Sequence, residues 1–291
     1  MKLRYSILGS VVFAGTAAAQ PAPPPPPLVE EPPGTLVQTV LPNMLSTAAG
    51  ATFDVRGDFT NFNDETFELT LLGFTAHGQY ITPTGLGGYA SLPFTYVSDD
   101  NNSETGLGNI ELGALYAIRS SPTVDILLRA GAAINTADDD IGIGGPFSQL
   151  APRLTDAYTT GLDTTWARAK GQVRYAERDL SLGASAGFDV PIGGALEDQE
   201  SFDGLLNLAV SVGLDQQSFA LSFGLSMIHA LVDSDEDDDD ENLSAFNANI
   251  EFPVAPNMRL FGTLGIPDLD NVGDNGIDMF SIGAGLRVGM K

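Results

Sequence analysis

Charged residues in several segments of this chain recur at every second position, and this spacing gathers them on one face of a β-strand. In one segment Arg168, Lys170 and Arg174 share a face, with Gln172 among them. A basic row of this kind binds anionic groups through charge-assisted hydrogen bonds. The candidate solute-contacting residues on such faces are Arg56, Glu68, His77, Glu111, Arg129, Arg168, Lys170, Arg174, Glu251, Arg259 and Arg287.

Acidic residues share these faces, so the predicted surface carries both signs of charge. Besides the glutamates already named, they are Asp54, Asp58, Asp125 and Asp189. A mixed surface either holds an anionic solute against its basic row or closes on itself through cross-strand ion pairs. The sequence leaves both interpretations open.

Covalent catalysis lacks the side chains that it needs. The chain has 2 histidines, His77 and His229, and a nucleophile requires a base within hydrogen-bond reach. Outer-membrane phospholipases place a serine two residues beyond a lipid-facing histidine, and here that position is Leu231. A protease site at the outer rim of a membrane barrel would depend on His229 near Asp233 and Asp235. We therefore expect neither an enzyme nor a cofactor.

The cation site that the sequence suggests is the acidic run at residues 233–241. Clustered carboxylates bind Ca²⁺, but an EF-hand loop requires Gly at position 6 and Glu at position 12. Counted from Asp233, those positions hold Asp238 and Ser244. The run is therefore predicted to be a solvated loop, with at most weak divalent binding by Asp235, Asp237 and Asp239.

The first residues have the three parts of a secretory signal. Lys2 and Arg4 precede an apolar stretch at residues 7–14, and small residues follow up to Ala19. A transmembrane anchor would need about 20 continuous apolar residues, so residues 1–19 are predicted to be a signal peptide. Cysteine is absent, so the exported protein must fold without disulfides.

A proline-rich stretch follows the leader and favours an extended polyproline spacer. Leu36, Val37, Val40 and Leu41 then fall at helical spacing. This spacing predicts a short helix that lies under, or plugs, the periplasmic mouth of a β-barrel formed by the residues that follow. An irregular lead-in to the first strand is the alternative. Residues 20–50 are accordingly expected to be a periplasmic segment, followed by a barrel over residues 51–291.

From residue 51 onward, short segments alternate between apolar and small or polar residues, as at Phe219, Leu221 and Phe223. About 10 alternating residues in a tilted strand are enough to cross a bilayer. The pattern predicts an all-β fold, an antiparallel, up-and-down transmembrane β-barrel of about twelve strands. The segments are residues 51–60, 66–80, 88–98, 107–118, 123–134, 165–176, 180–190, 205–214, 218–230, 244–253, 257–265 and 278–290.

The connections between these segments alternate in length, as outer-membrane barrels require. With a periplasmic N-terminus, short periplasmic turns fall near residues 82–87, 119–123, 177–179, 215–217 and 253–257. Long extracellular loops carry most of the acids behind the net charge of −25, so the mouth is predicted to be anionic and unsuited to nucleic acid. The loop at residues 137–164, with Ile141, Ile143 and Phe147, is the candidate to fold inward and narrow a pore.

Alternation alone does not distinguish a lipid-facing surface from a dry core, since secreted β-sandwiches alternate too. Aromatic residues near the predicted strand ends are typical of interface girdles, and they favour lipid. These are Tyr80, Tyr96, Trp166, Tyr175 and Phe252. The final segment alternates from Phe280 but ends Met290-Lys291, without the terminal aromatic of many outer-membrane barrels.

The sequence TGLGNIELGALY at residues 105–116 resembles the GLGD-(L/I)-x-(L/I)-G strand start of a group of proteobacterial outer-membrane barrels. These barrels are classed as transporters and are associated with aromatic-degradation pathways. The preceding YASLPFTYV at residues 89–97 is similar to the strand before that motif. The resemblance covers roughly thirty residues and implies a barrel fold and solute uptake, but no site residues.

We therefore expect a channel or transporter in the outer membrane of a Gram-negative bacterium. Its predicted partners are membrane lipid, the barrel assembly machinery and a small solute. The alternative is a structural or surface-interacting barrel with a closed lumen. A continuous water path would favour transport, whereas a lumen filled by paired charges or by residues 35–48 would favour the closed barrel.

Overall fold

The computed structural model divides the chain into two units, Met1–Pro33 and Gly34–Lys291. The residues that it describes all belong to the second unit. They are residues 40–64, 67–98, 103–137, 154–156, 163–194, 202–232, 242–268 and 278–290. The predicted signal peptide and proline-rich stretch lie outside them.

Strands make up almost all of the described chain. They are β1 (Gly50–Asp64), β2 (Phe67–Ile81), β3 (Leu86–Ser98), β4 (Ser103–Leu107), β5 (Ile110–Arg119), β6 (Val124–Ile134), β7 (Thr164–Glu177), β8 (Leu180–Gly194), β9 (Phe202–Asp215), β10 (Ala220–Val232), β11 (Asn242–Ala255), β12 (Met258–Asp268) and β13 (Asp278–Met290). A 3₁₀ turn, Leu154–Asp156, lies between β6 and β7. Each predicted segment coincides with one of these strands, except that residues 107–118 are split between β4 and β5.

The strands form one closed antiparallel barrel. Neighbours in sequence pair with each other, and β13 returns to pair with β1, from Ala51 opposite Met290 to Asn63 opposite Asp278. Because β4 and β5 follow one another along the same edge of β3, they count as one wall strand, and the barrel has 12. The predicted fold class is confirmed.

A bulge explains why one predicted strand is split. Ser91 of β3 pairs with Glu111, but Phe94 pairs with Leu107, so the β4–β5 side carries one extra residue. The amide of Gly108 donates to the carbonyl of Pro93 at 3.0 Å. Pro93 has no amide hydrogen to return, which is why the ladder is interrupted there.

The outer face of the barrel is an apolar belt. Large hydrophobic side chains alternate with buried ones along every long strand, and those of Phe53, Phe74, Val210 and Leu225 are all exposed. No helix in the described part of the chain is long and apolar enough to cross a membrane. An exposed belt of this kind requires lipid around it, because water would not solvate so much contiguous apolar surface.

One sequence-based orientation needs correction. Trp166, predicted to belong to an interface girdle, is completely buried. It has the same parity along β7 as Arg168 and therefore faces inward. His77 faces inward, and β2 pairs with β1 in unbroken register around it.

Five short connections lie at one end of the barrel, called here the turn end, and the opposite end is called the loop end. The turns consist of residues 82–85, 120–123, 178–179, 216–219 and 256–257. Their ends fall within three residues of those of the predicted periplasmic turns. Most of the acidic loops lie outside the described residues.

Residues 40–47, called here the lumenal segment, lie inside the turn end of the barrel. They do not form the predicted helix. The amide of Met44 donates to the carbonyl of Leu41 at 3.1 Å, and Asn43 has a φ of 59°. This left-handed residue, one place after Pro42, ends any helical continuation.

The apolar belt yields a stability prediction. Leu225 lies at the middle of β10, whereas Leu214 lies near the turn end of β9, and both are exposed. L225R should lower the free energy of unfolding by about 2–4 kcal/mol, and L214R by about 0–1 kcal/mol, because the cost of arginine on the lipid face depends on depth. Guanidinium unfolding in phospholipid vesicles measures both. Equal losses would contradict a bilayer midplane near Leu225.

Candidate functional site

The lumen collects the charged residues that the sequence singled out. The buried ones are Arg56, His77, Glu111, Arg129, Arg168, Lys170, Glu251, Arg259 and Arg287. Arg174 is half-buried on the same face of β7. Glu68 lies in β2, opposite Asn63, and its side chain falls outside the described residues.

Arg168 is the centre of the first charge cluster. Its Nε donates to Asp189 Oδ1 at 2.9 Å, and its Nη1 donates to Glu111 Oε2 at 2.7 Å. Its Nη2 reaches Asp156 Oδ1 at 2.7 Å. These three carboxylates come from β8, β5 and the 3₁₀ turn. One guanidinium thus binds both the wall and an inward-folded segment.

Asp156 is a functional candidate that sequence reasoning missed. Its Oδ1 also accepts from Arg129 Nη2 at 2.9 Å and from Lys170 Nζ at 3.3 Å. Thr155 adds a hydroxyl 2.6 Å from Lys170 Nζ. The loop was expected to fold inward, but through Ile141, Ile143 and Phe147, which lie outside the described residues.

Tyr89 and two glycines shape the surroundings of this cluster. The hydroxyl of Tyr89 donates to Glu111 Oε1 at 2.6 Å, and Arg129 lies 5.8 Å from the centroid of the tyrosine ring. A Cβ at Gly113 or Gly131 would come within 2.5 and 2.9 Å of Tyr89 atoms. The absence of a side chain at both glycines therefore leaves room for the Tyr89 side chain along the inner face of the wall.

Glu251 is the centre of a second charge cluster near the turn end. Its Oε1 accepts from Arg287 Nη1 at 2.8 Å, and its Oε2 lies 3.8 Å from Arg259 Nη1. Arg259 and Arg287 are directly opposite each other on β12 and β13. Arg287 is further held by Asp54 at 2.7 Å and lies over the ring of Phe261.

Polar side chains of the wall bind the backbone of the lumenal segment. The amide of Leu45 donates to Gln172 Oε1 at 2.9 Å, and Gln172 Nε2 donates to the carbonyl of Leu45 at 2.7 Å. The amide of Val40 donates to Glu251 Oε1 at 3.3 Å, and its carbonyl accepts from Asn249 Nδ2, also at 3.3 Å. Side chains thus supply the partners that an irregular buried backbone needs.

Glycines in the wall admit the apolar side chains of the same segment. A Cβ at Gly183 would lie 2.3 Å from Met44 Sδ, and one at Gly213 would lie 2.6 Å from Leu41 Cδ2. On the other side, Leu45 packs in a small buried cluster. Its neighbours there are Ile81, Tyr89, Leu115, Leu127 and Ala117.

A cavity of about 50 Å³ remains between the lumenal segment and the wall. Its lining includes Asp54, Arg56, His77, Asn247 and Arg287. A single water needs roughly 10–15 Å³ by this measure, so the cavity holds a few waters rather than a sugar-sized solute. Apart from this cavity, the lumenal segment packs closely against this part of the wall.

The remaining predicted residues are placed as follows. Arg56 pairs with Asp58, two residues along the same face of β1. His229 lies on the outward parity of β10, where its Nδ1 is 2.9 Å from Asn242 Oδ1. Asp235, Asp237 and Asp239 lie outside the described residues. Within the described part of the chain, no three acidic or histidine side chains are placed to hold a metal ion.

A lipid-facing belt around a closed 12-stranded wall defines the class of this protein, an outer-membrane β-barrel. Two solved structures share the fold. An outer-membrane channel from Pseudomonas putida F1 superimposes with a TM-score of 0.62 at 12% identity, over 87% of this chain and 100% of the channel. The NanC porin superimposes with a TM-score of 0.53 at 12% identity, over 82% of this chain and 100% of the porin.

Sequence comparison adds nothing to this. No protein-family model matches the chain, and no curated protein matches it. The similarity to the two solved barrels therefore supports outer-membrane barrels in general, and the specific transporter group suggested by residues 105–116 stays a prediction.

The Glu251 cluster yields a second prediction. E251Q removes the carboxylate that lies between Arg259 and Arg287 and should lower the free energy of unfolding by about 3–5 kcal/mol, because a buried pair is broken and a like charge is left opposed. The matched control is E177Q at the exposed end of β7, with an expected loss below about 1 kcal/mol. Guanidinium unfolding in vesicles compares them. Similar losses for both variants would show that the cluster contributes nothing to stability.

Proposed function

We propose that this chain is a channel for small solutes in the outer membrane of a Gram-negative bacterium, closed in this structure by the lumenal segment. The proposal rests on one observation above all. The segment that blocks the barrel is held through its backbone by exchangeable hydrogen bonds to Gln172, Asn249 and Glu251. Water satisfies the same groups at little cost, so the segment can leave without stranding buried polar atoms.

The chemistry of the wall supports the same proposal. Serine, threonine, asparagine and charged residues line the interior, as at Ser181, Ser222, Asn207 and Thr263. A lumen of this kind remains stable when it fills with water, whereas an apolar core would not. The porin and the channel of similar fold are consistent with this role.

The second candidate function is a closed structural or surface-interacting barrel. The specific observation that favours it is the filled lumen, in which paired charges around Arg168 and Glu251 meet the lumenal segment. These are the features expected of a sealed barrel. The two functions differ in whether the lumen opens when the segment is released, which conductance measures.

Export and assembly complete the proposal. Residues 1–19 are proposed to direct secretion and residues 20–33 to form an extended periplasmic spacer, with insertion by the barrel assembly machinery. The acidic loops are proposed to disfavour nucleic acid. The proposed function requires neither a covalent reaction nor a cofactor.

A disulfide lock tests the channel. A Cβ at Gly224 would lie 3.1 Å from Pro42 Cβ, a few tenths of an ångström inside the usual separation of about 3.5–4.5 Å for a disulfide. The chain has no cysteine of its own. Oxidised P42C/G224C should show no open events in planar bilayers, and reductant should restore them. Deletion of residues 40–47 should raise conductance whatever the redox state.

The matched controls are P42C and G224C alone, which should not respond to oxidant. Heat-modifiable migration on a gel checks that each variant is a folded barrel. If the folded deletion variant conducts no more than lipid alone, the channel proposal is wrong and the closed barrel takes its place.

A further inference from the structure

Two cations of the Arg168 cluster lie directly opposite each other on adjacent strands, on the inner face of the wall. Arg129 on β6 is the cross-strand partner of Lys170 on β7, and both side chains are buried. Like charges in this position repel each other, and burial strengthens the repulsion. An anion between them therefore stabilises the wall.

Among the described wall residues of this cluster, the carboxylates are fewer than the cations. Glu111 and Asp189 pair with Arg168, whereas Arg129 and Lys170 both form ion pairs with Asp156. The three cations thus have two wall carboxylates, and the 3₁₀ turn contributes the third. Asp156 balances the cluster from a segment that belongs to no strand.

We propose that Arg129, Arg168 and Lys170 form a binding site for the carboxylate of a small anionic solute, and that Asp156 occupies this site as an internal stand-in. The proposal names the solute class for the channel function proposed above and rests on it. The three donors converge on the single atom Asp156 Oδ1. They already have the geometry of a carboxylate-binding site.

The donors do not depend on Asp156 for their positions. Asp189 and Glu111 hold two edges of the Arg168 guanidinium, and Asn207 Nδ2 in turn donates to Asp189 Oδ2 at 2.6 Å. The ring of Tyr89 lies beside Arg129. A preorganised site of this kind binds a replacement anion without first having to order its own side chains.

The hydroxyl of Thr155 extends the site on one side. It lies 2.6 Å from Lys170 Nζ, and the Thr155 carbonyl accepts from Arg168 Nη2 at 3.2 Å. A solute that displaces the turn must replace these oxygens as well as the carboxylate. The site is therefore expected to prefer carboxylates with a neighbouring hydroxyl or carbonyl oxygen over a bare monoatomic anion.

The test uses the single tryptophan of the chain as its probe. Trp166 is two residues from Arg168 on the inward face of β7, roughly 7 Å away along the strand. The full chain in detergent is titrated with sodium acetate and, separately, with sodium chloride, both at constant ionic strength. Trp166 fluorescence is recorded in each titration. D156N should bind acetate about tenfold or more tightly than the unsubstituted protein, since acetate no longer competes with Asp156.

The matched control is D156N/K170Q, in which two cations again face two carboxylates and acetate binding should be lost. The guanidinium unfolding midpoint gives a second readout, because acetate that binds the folded state must raise it for D156N. D156A repeats the test if D156N does not migrate as a folded barrel. Equal responses to chloride and acetate, or no response in either variant, overturn the carboxylate site.

The same preparations separate this proposal from the channel itself. Conductance in planar bilayers is recorded beside the fluorescence titration for D156N that also lacks residues 40–47. Acetate binding without any conductance supports the site and contradicts the channel, whereas conductance without acetate binding supports the channel and overturns the site.

Discussion

The whole structure depends on one constraint, that no backbone hydrogen-bonding group can be left unpaired in a hydrocarbon layer. The chain meets it by pairing β13 with β1 over the full length of both strands. Closure leaves no edge, so the sheet needs neither disulfides nor a helix to be stable in a membrane. It also turns one face of every strand toward a confined interior, where the remaining features of the molecule lie.

Inside the confined lumen, interactions between buried charges dominate. Two pairs of cations, Arg129 with Lys170 and Arg259 with Arg287, are forced into direct cross-strand opposition by the register. One carboxylate contacts both cations of each pair, Asp156 in the first case and Glu251 in the second. Because like charges in a low-dielectric interior repel strongly, these carboxylates stabilise the wall by lying between the paired cations.

The same two carboxylates connect the wall to the segments that fill it. Glu251 accepts from the backbone of Val40 in the lumenal segment, and Asp156 is itself part of an inward-folded turn. Both segments are held mainly by side-chain hydrogen bonds and ion pairs rather than by strand pairing. Water and anions compete for such contacts, which is the physical link between a filled lumen and one that admits solutes.

The sequence by itself determined the strands, their turns and the inward face, because a period of two is a local property that needs no knowledge of neighbours. It placed Arg168, Lys170, Glu251 and Arg287 inside correctly. Only the tertiary structure decided which charges meet, since Arg287 and Asp54, which are 233 residues apart, become partners through barrel closure. Asp156, the burial of Trp166 and the non-helical lumenal segment belong to this second category. Their positions follow from the space and charge that the closed wall leaves, which no local pattern encodes.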